Sequence, residues 1–270
     1  MSKVMSLQEA AARIHDGDIL GLGGNVLHRA PMAMVRELVR QNKRNLRLVK
    51  TAGAMDVDML CFGGCVSSVD AGFISYESEY SLAGHYRRAV ESGAVKGNEH
   101  ACYTVISALR AASYGVGFMP VKGLVISDLI DANDYFVRVE DPFTKEPVTV
   151  VRAIRPDVAV IHVQEADEEG NARITGPLFE DVLFSRASKR VILTTENIVH
   201  GSAFKGSLKK ADIPHFLVEA VVRVPKGAAP CSCPGSYDID GKNIKEFKSL
   251  KDLDGLKAYV RAFEKSDYKG

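Results

Sequence analysis

The stretch LRLVKTAGAMDVDML, residues 46–60, has the form of a buried strand running into a glycine turn. In an open α/β enzyme that is where the chemistry is presented. Its tip carries Thr51, Ala52, Gly53 and Ala54, with no carboxylate, cysteine or histidine among them. The turn is shaped like an active-site turn and holds no nucleophile.

The flanks of that stretch alternate in the same way. Upstream, LQEAAARI (7–14) has helical spacing, DGD (16–18) is a turn, and ILGLGG (19–24) is a short buried strand ending in two glycines. APMAMVRELVRQ (30–41) is an amphipathic helix with Pro31 near its first turn, where a missing N–H costs little. Downstream come a strand in VDAGFIS (69–75), helices in SLAGHYRRAVESG (81–93) and YTVISALRAASYG (103–115), and a strand in VKGLVIS (121–127). Next are a hairpin in YFVRVEDPFTKEPVTVVRAI (135–154), a buried strand and DEEGN turn in PDVAVIHVQEADEEGNARI (156–174), and a helix then a strand in LFEDVLFSRASKRVILTTENIV (178–199). A Gly/Pro-rich loop from residue 225 leads to a closing helix in LDGLKAYVRAFEKS (253–266). Strands alternating with helices predict an α/β fold: an open, mostly parallel, Rossmann-like sheet with helices on both faces, formed by residues 1–270 as a single domain.

Charge narrows the partners. With 35 Lys+Arg against 34 Asp+Glu, no global field holds the chain on nucleic acid or an anionic membrane. No apolar run approaches the roughly 20 residues of a membrane span, and the amino terminus lacks the apolar core of a secretory signal. The expected location is the cytoplasm, and the expected partners are small molecules or other proteins. The cysteines at 61, 65, 102, 231 and 233 match no structural zinc spacing, so reduced thiols and no metal are expected.

Three segments offer chemistry. In GLGGN (21–25) the backbone N–H groups of Gly23, Gly24 and Asn25 are placed to bind an anionic oxygen or to polarise a thioester carbonyl. The dinucleotide fingerprint fails at its third glycine, and the alternative is a plain strand-to-helix turn. His28 and Arg29 in LHRAP (27–31) stand beside that loop, where a guanidinium can clamp a carboxylate bidentately; the alternative is a solvated side chain. In GFISYESEYS (72–81) the strand delivers Ser75, Glu77 and Ser78 to the same sheet end, with Glu77 as acid, base or acceptor. Glu79 reads instead as a charge on a helix dipole. His162 reads as a satisfied core histidine, and Glu196 as a capped strand end.

Taken together, SKVMSLQEAAARIHDGDILGLGG (2–24), RAPMAMVRELVRQNKRNL (29–46), VEDPF (139–143), PDVAVIHVQEADEEGNARITG (156–176) and DIPHFLVEAVVRVPKGAAP (212–230) resemble the A (α) subunit of class I coenzyme A transferases, of the glutaconate type. The resemblance runs from about residue 2 to 265. It implies one active site shared by two related α/β polypeptides, an α and a β subunit, forming a heterotetramer or larger. The covalent glutamate then belongs to the β subunit, in a Glu-Ser-Gly or Glu-Asn-Gly turn. At the corresponding place this chain has Thr51-Ala52-Gly53, the α-type tip without a nucleophile. The implied substrates are an acyl-CoA and a small mono- or dicarboxylic acid. The residues carried over as a pocket are Gly23, Gly24, Asn25, His28, Arg29, Thr51, Gly53, Ser75 and Ser78, with Glu77 where the glutaconate type has serine. An ionised Glu77 repels a second substrate carboxylate unless Arg29 or His28 compensates.

Other α/β pairs of this kind stay open as alternatives. One is a ring-opening hydrolase with an essential glutamate on the helix beginning near NEHACYTV (98–105), where this chain has Cys102, with Glu99 one turn earlier. Another is a methylglutaconyl-CoA decarboxylase, whose β subunit carries cysteine. A metabolite-binding protein of the same fold and a free-standing thioesterase using Glu77 complete the set.

Overall fold

The computed structural model describes residues 2–124, 127–132, 134–204 and 210–267. Its strands are β1 (Ile19–Leu22), β2 (Leu46–Gly53), β3 (Val66–Ile74), β4 (Lys96–Glu99), β5 (Phe118–Pro120), β6 (Phe136–Glu140), β7 (Pro147–Arg152), β8 (Val158–Asp167), β9 (Ala172–Arg173), β10 (Val191–Val199) and β11 (Val218–Arg223). Its helices are α1 (Leu7–Ala12), α2 (Met32–Arg40), α3 (Met55–Phe62), α4 (Glu77–Tyr80), α5 (Gly84–Glu91), α6 (Cys102–Ser113), α7 (Leu129–Ala132), α8 (Asp181–Ala187), α9 (Gly241–Ser249) and α10 (Leu253–Asp267).

The main sheet runs β11-β10-β8-β1-β2-β3-β4, with all these neighbours parallel and β9 antiparallel on β8. Burial on both faces explains the near-continuous apolar runs of β8 and β10, because crossover helices cover both sides of a parallel sheet. One face packs a core that includes Leu20, Leu48, Met34, Leu60 and Phe247; the other packs Val49, Leu109, Val151, Ile161 and Phe184. Over the second face lies a three-stranded antiparallel sheet, β5-β7-β6, whose β6–β7 pair is the hairpin expected from residues 135–154.

Local chemistry sets the element ends. Ser6 caps α1 in a reciprocal capping box with Glu9. After the Gly53 turn, Asp56 accepts from the amides of Ala54 and Val57 at the start of α3. The strand expected in VKGLVIS does not form over its described part, where Lys122–Leu124 is one 3₁₀ turn; Val125 and Ile126 lie outside the described residues. The short edge strand β4 and the strand β11 give no clear alternation in sequence and are recognised only by their pairing. No helix among the described residues is long and apolar enough to cross a membrane.

Side by side at the centre, β1 leads outward through β2, β3 and β4, whereas β8 leads the other way through β10 and β11. The carboxyl ends of β1 and β8 are therefore the topological switch point, the crevice where open α/β sheets hold ligands. Gly21 lets α8 come down onto it: a Cβ there would lie 2.8 Å from the Phe184 ring.

Candidate functional site

Beyond β1 the chain turns at Gly23 and Gly24. Gly24 has φ +71°, and a Cβ on it would sit 2.4 Å from the His28 carbonyl oxygen, so glycine is required. The amides of this loop are all engaged inside the chain: Gly23 donates to Val160 O, Gly24 to Asp181 Oδ1, Asn25 to His28 O and Val26 to Ala52 O, at 2.6–2.9 Å. The expectation that these N–H groups cradle a substrate oxygen is therefore corrected; they build the turn. Lys50 and Asp56, both fully buried, pair at 3.0 Å beneath it, with Lys50 also bonded to the Gly23 carbonyl.

Arg29 requires a second correction. Its side chain is fully buried, ion-paired to Asp181, bonded to the His162 and Pro177 carbonyls, and 5.2 Å from the Phe179 ring. It locks the glycine loop to α8 and is not free to clamp a substrate carboxylate. His28 is exposed, with Nδ1 2.7 Å from Ser232 Oγ and its ring stacked on Phe179 at 6.4 Å.

At the tip of β2, Thr51 donates to Glu180 Oε2 at 2.7 Å, and its carbonyl accepts the Cys102 thiol at 3.4 Å. Glu180 stands just before α8 and carried no signal in the sequence. Burial and the Glu180 charge raise the Cys102 pKa above the ordinary thiol value, which disfavours the thiolate. Gly53 has a packing role, since a Cβ there would meet Val57 at 2.7 Å, and its carbonyl accepts the Ser75 amide. The Ser75 hydroxyl points back to Ser81 O at 3.2 Å.

Glu77 and Ser78 are exposed and, with His28, line a cleft of about 240 Å³ between the loop after β1 and the turn after β3. That turn is tied down from behind. Tyr76 OH donates to the buried Asp58 at 3.0 Å, and Lys248 lies over the Tyr76 ring and donates to the Leu82 carbonyl. Burial pushes the Asp58 carboxyl up to about 6.

Backbone strain marks the same place. Val26 (φ +47°), Arg29 (+52°), Glu77 (+60°), Ser81 (+65°) and Phe179 (+46°) all stand in the left-handed region. For β-branched or bulky residues this costs of order 1–3 kcal/mol each and persists where packing over-determines it, as at ligand sites.

Elsewhere, His162, Glu196 and Cys233 place donor atoms within 4.8 Å of one another. The Glu196 carboxylate already accepts from His162 Nε2 (2.8 Å), Tyr237 OH (2.6 Å) and the amides of Lys226 and Gly227. Burial pushes the Cys233 thiol up to about 11. These lone pairs serve a hydrogen-bond network that pins the 226–237 loop, and His162 is a core histidine as its strand context predicts.

The glycine turn after β1 at the switch point and the neighbouring β2 tip without a nucleophile are the features that the resemblance to the α subunit of coenzyme A transferases leads one to expect. Residues 4–224 match the Coenzyme A transferase family model, and the chain belongs to that family. It is 32% identical over 277 residues to the A subunit of glutaconate CoA-transferase from Acidaminococcus fermentans, covering 95% of this chain and 87% of that one. The crystal structure of that transferase superposes with a TM-score of 0.89 at 31% identity, over 98% of this chain and 88% of the other. A crystal structure of a variant of the decarboxylase AibA/AibB superposes with a TM-score of 0.87 at 36% identity, over 98% and 100%. An uncharacterized Archaeoglobus fulgidus protein is 36% identical over 269 residues, which are 98% of this chain and 59% of that longer protein.

Proposed function

We propose that the chain is the α subunit of a two-subunit cytoplasmic enzyme that moves coenzyme A between carboxylic acids, working as one α/β domain. Supporting it most is the β2 tip: Thr51 is bonded to Glu180 and Gly53 is packed on Val57, in a family whose resemblance assigns the covalent glutamate to the β subunit. In that scheme a carboxylate oxygen of the β-subunit glutamate attacks the thioester carbonyl and CoA leaves as thiolate. The thiolate attacks the glutamyl carbonyl of the resulting anhydride, the first acid departs as carboxylate, and the second acid reverses the steps. This chain binds and orients the acyl group between His28 and the 76–80 turn.

The cleft also indicates the acyl class. Glu77 and Glu79 line it, Glu180 stands beside Thr51, and His28 is the one ionisable base lining it among the described residues. Like charges at this range disfavour a second carboxylate, so the preferred acyl group carries none. A second reading, decarboxylation, is supported by the likeness to AibA/AibB.

Co-purification from native cells tests both. A partner whose glutamate becomes a CoA thioester on incubation with acyl-CoA is the expected result. Release of CO₂ from the acyl-CoA without transfer assigns decarboxylation instead. A stable homo-oligomer without a partner overturns the half-enzyme.

A further inference from the structure

A second cleft lies toward the amino ends of the strands, on the face covered by the small sheet. Arg47, Ser68 and Lys96 are in register across β2, β3 and β4. Neighbouring strands are about 4.8 Å apart, so two cationic side chains flank one hydroxyl on a single face. From β7, Arg152 reaches the same row, held over the Tyr135 ring at 4.7 Å, and the four residues line a cleft of about 230 Å³. The floor is the buried Asn98, and one carboxylate, Asp134, stands among the lining residues.

The cations there outnumber the acids. Among the described residues no carboxylate pairs with Arg47, Lys96 or Arg152, and the Ser68 hydroxyl, though its residue is only 8% exposed, has no hydrogen-bond partner. The buried acid Asp70 on β3 accepts from Asn98 Nδ2 at 2.9 Å, lies 3.4 Å from His100 Nε2 and bonds the Tyr135 hydroxyl. Three cations against the single carboxylate Asp134 leave the cleft with net positive charge, which favours entry of an anion. Arg47 precedes Gly53 by six residues, about 20 Å along the strand, so this cleft is separate from the acyl site.

We propose that the cleft binds the phosphate dianion of a small phosphomonoester. The guanidinium forks of Arg47 and Arg152 suit phosphate oxygens bidentately, Lys96 adds a point charge and Ser68 a donor. The volume, below the roughly 300–1,000 Å³ of drug-sized sites, suits the phosphate with a short carbon body better than a whole nucleotide.

Titration calorimetry on the full chain, with inorganic phosphate and glycerol 3-phosphate at fixed ionic strength, is the test. Saturable binding tighter than about 1 mM is expected, weakened about tenfold or more by Arg47→Gln and, as an independent exposed variant, by Lys96→Gln. The ligand-free melting temperature should hold in both. Tighter binding of glycerol 3-phosphate supports the monoester; equal affinity for both probes overturns that part and leaves a site for free phosphate. Absence of saturable binding, equal binding by both variants, or the same response to chloride overturns the site.

Discussion

At the scale of the residue, Arg29 leaves the role its context suggests, whereas Glu77 stands at the cleft where its strand places it. Arg29, beside an open-looking glycine loop, is buried against Asp181. Removing one partner of a buried pair leaves the other charge uncompensated and costs about 3–5 kcal/mol. Arg29→Met should lower the urea unfolding free energy by about that much, whereas an exposed clamp would have cost catalysis and little stability. Glu77 remains free at the cleft. Glu77→Ser should raise kcat/KM for a dicarboxylic acid about tenfold relative to a monocarboxylic acid of equal length, read from competition between the two acceptors; an unchanged ratio would remove Glu77 from specificity. The Arg29 assignment was not legible locally, because burial of a long polar side chain depends on which distant residue meets it.

At the scale of the element, the 75–82 turn is held by what lies behind it. Burial raises the Asp58 pKa to about 6, with hydrogen bonds from Tyr86 and Tyr76 opposing. Its folded value lies above its unfolded value of roughly 3.9, so its contribution to stability is fully present below the unfolded value and is lost as pH rises toward about 6. Unfolding free energy should therefore fall by about 2–3 kcal/mol across that window, and Asp58→Asn should flatten the decline in a urea series at stepped pH. Tyr76→Phe removes one hydrogen bond to this buried acid, at a cost of about 1–3 kcal/mol, and should raise KM for the acyl-CoA more than it lowers kcat by loosening the turn that carries Glu77. The turn reads in sequence as a strand end followed by polar residues; its anchors, Asp58 on α3 and Lys248 on α9, lie 18 and 168 residues from their partners Tyr76 and Tyr80.

At the scale of the whole molecule, the two halves of the sheet meet at β1 and β8, and α8 seals the join. Phe184 is fully buried against Gly21. Phe184→Ala should cost about 3–5 kcal/mol and should carry transferase activity down with the folded fraction in a thermal melt monitored by both signals. Loss of activity well before unfolding would show that the switch point is held by something other than this contact.

The sequence by itself determined the alternation of buried strands and helices, the parallel sheet and the β2 tip without a nucleophile, because hydrophobic periodicity and glycine turns are local properties. It also placed Glu77, Ser78 and His28 at one sheet end, since strand direction fixes which end a loop occupies. Only the tertiary structure decided that the Gly23–Gly24 amides are already bonded, that Arg29 belongs to Asp181, that Glu180 answers Thr51, and that Arg47, Ser68, Lys96 and Arg152 converge. Each of these joins residues from separate strands, loops or helices, and which of them meet is set by sheet order and register rather than by any neighbour in the chain.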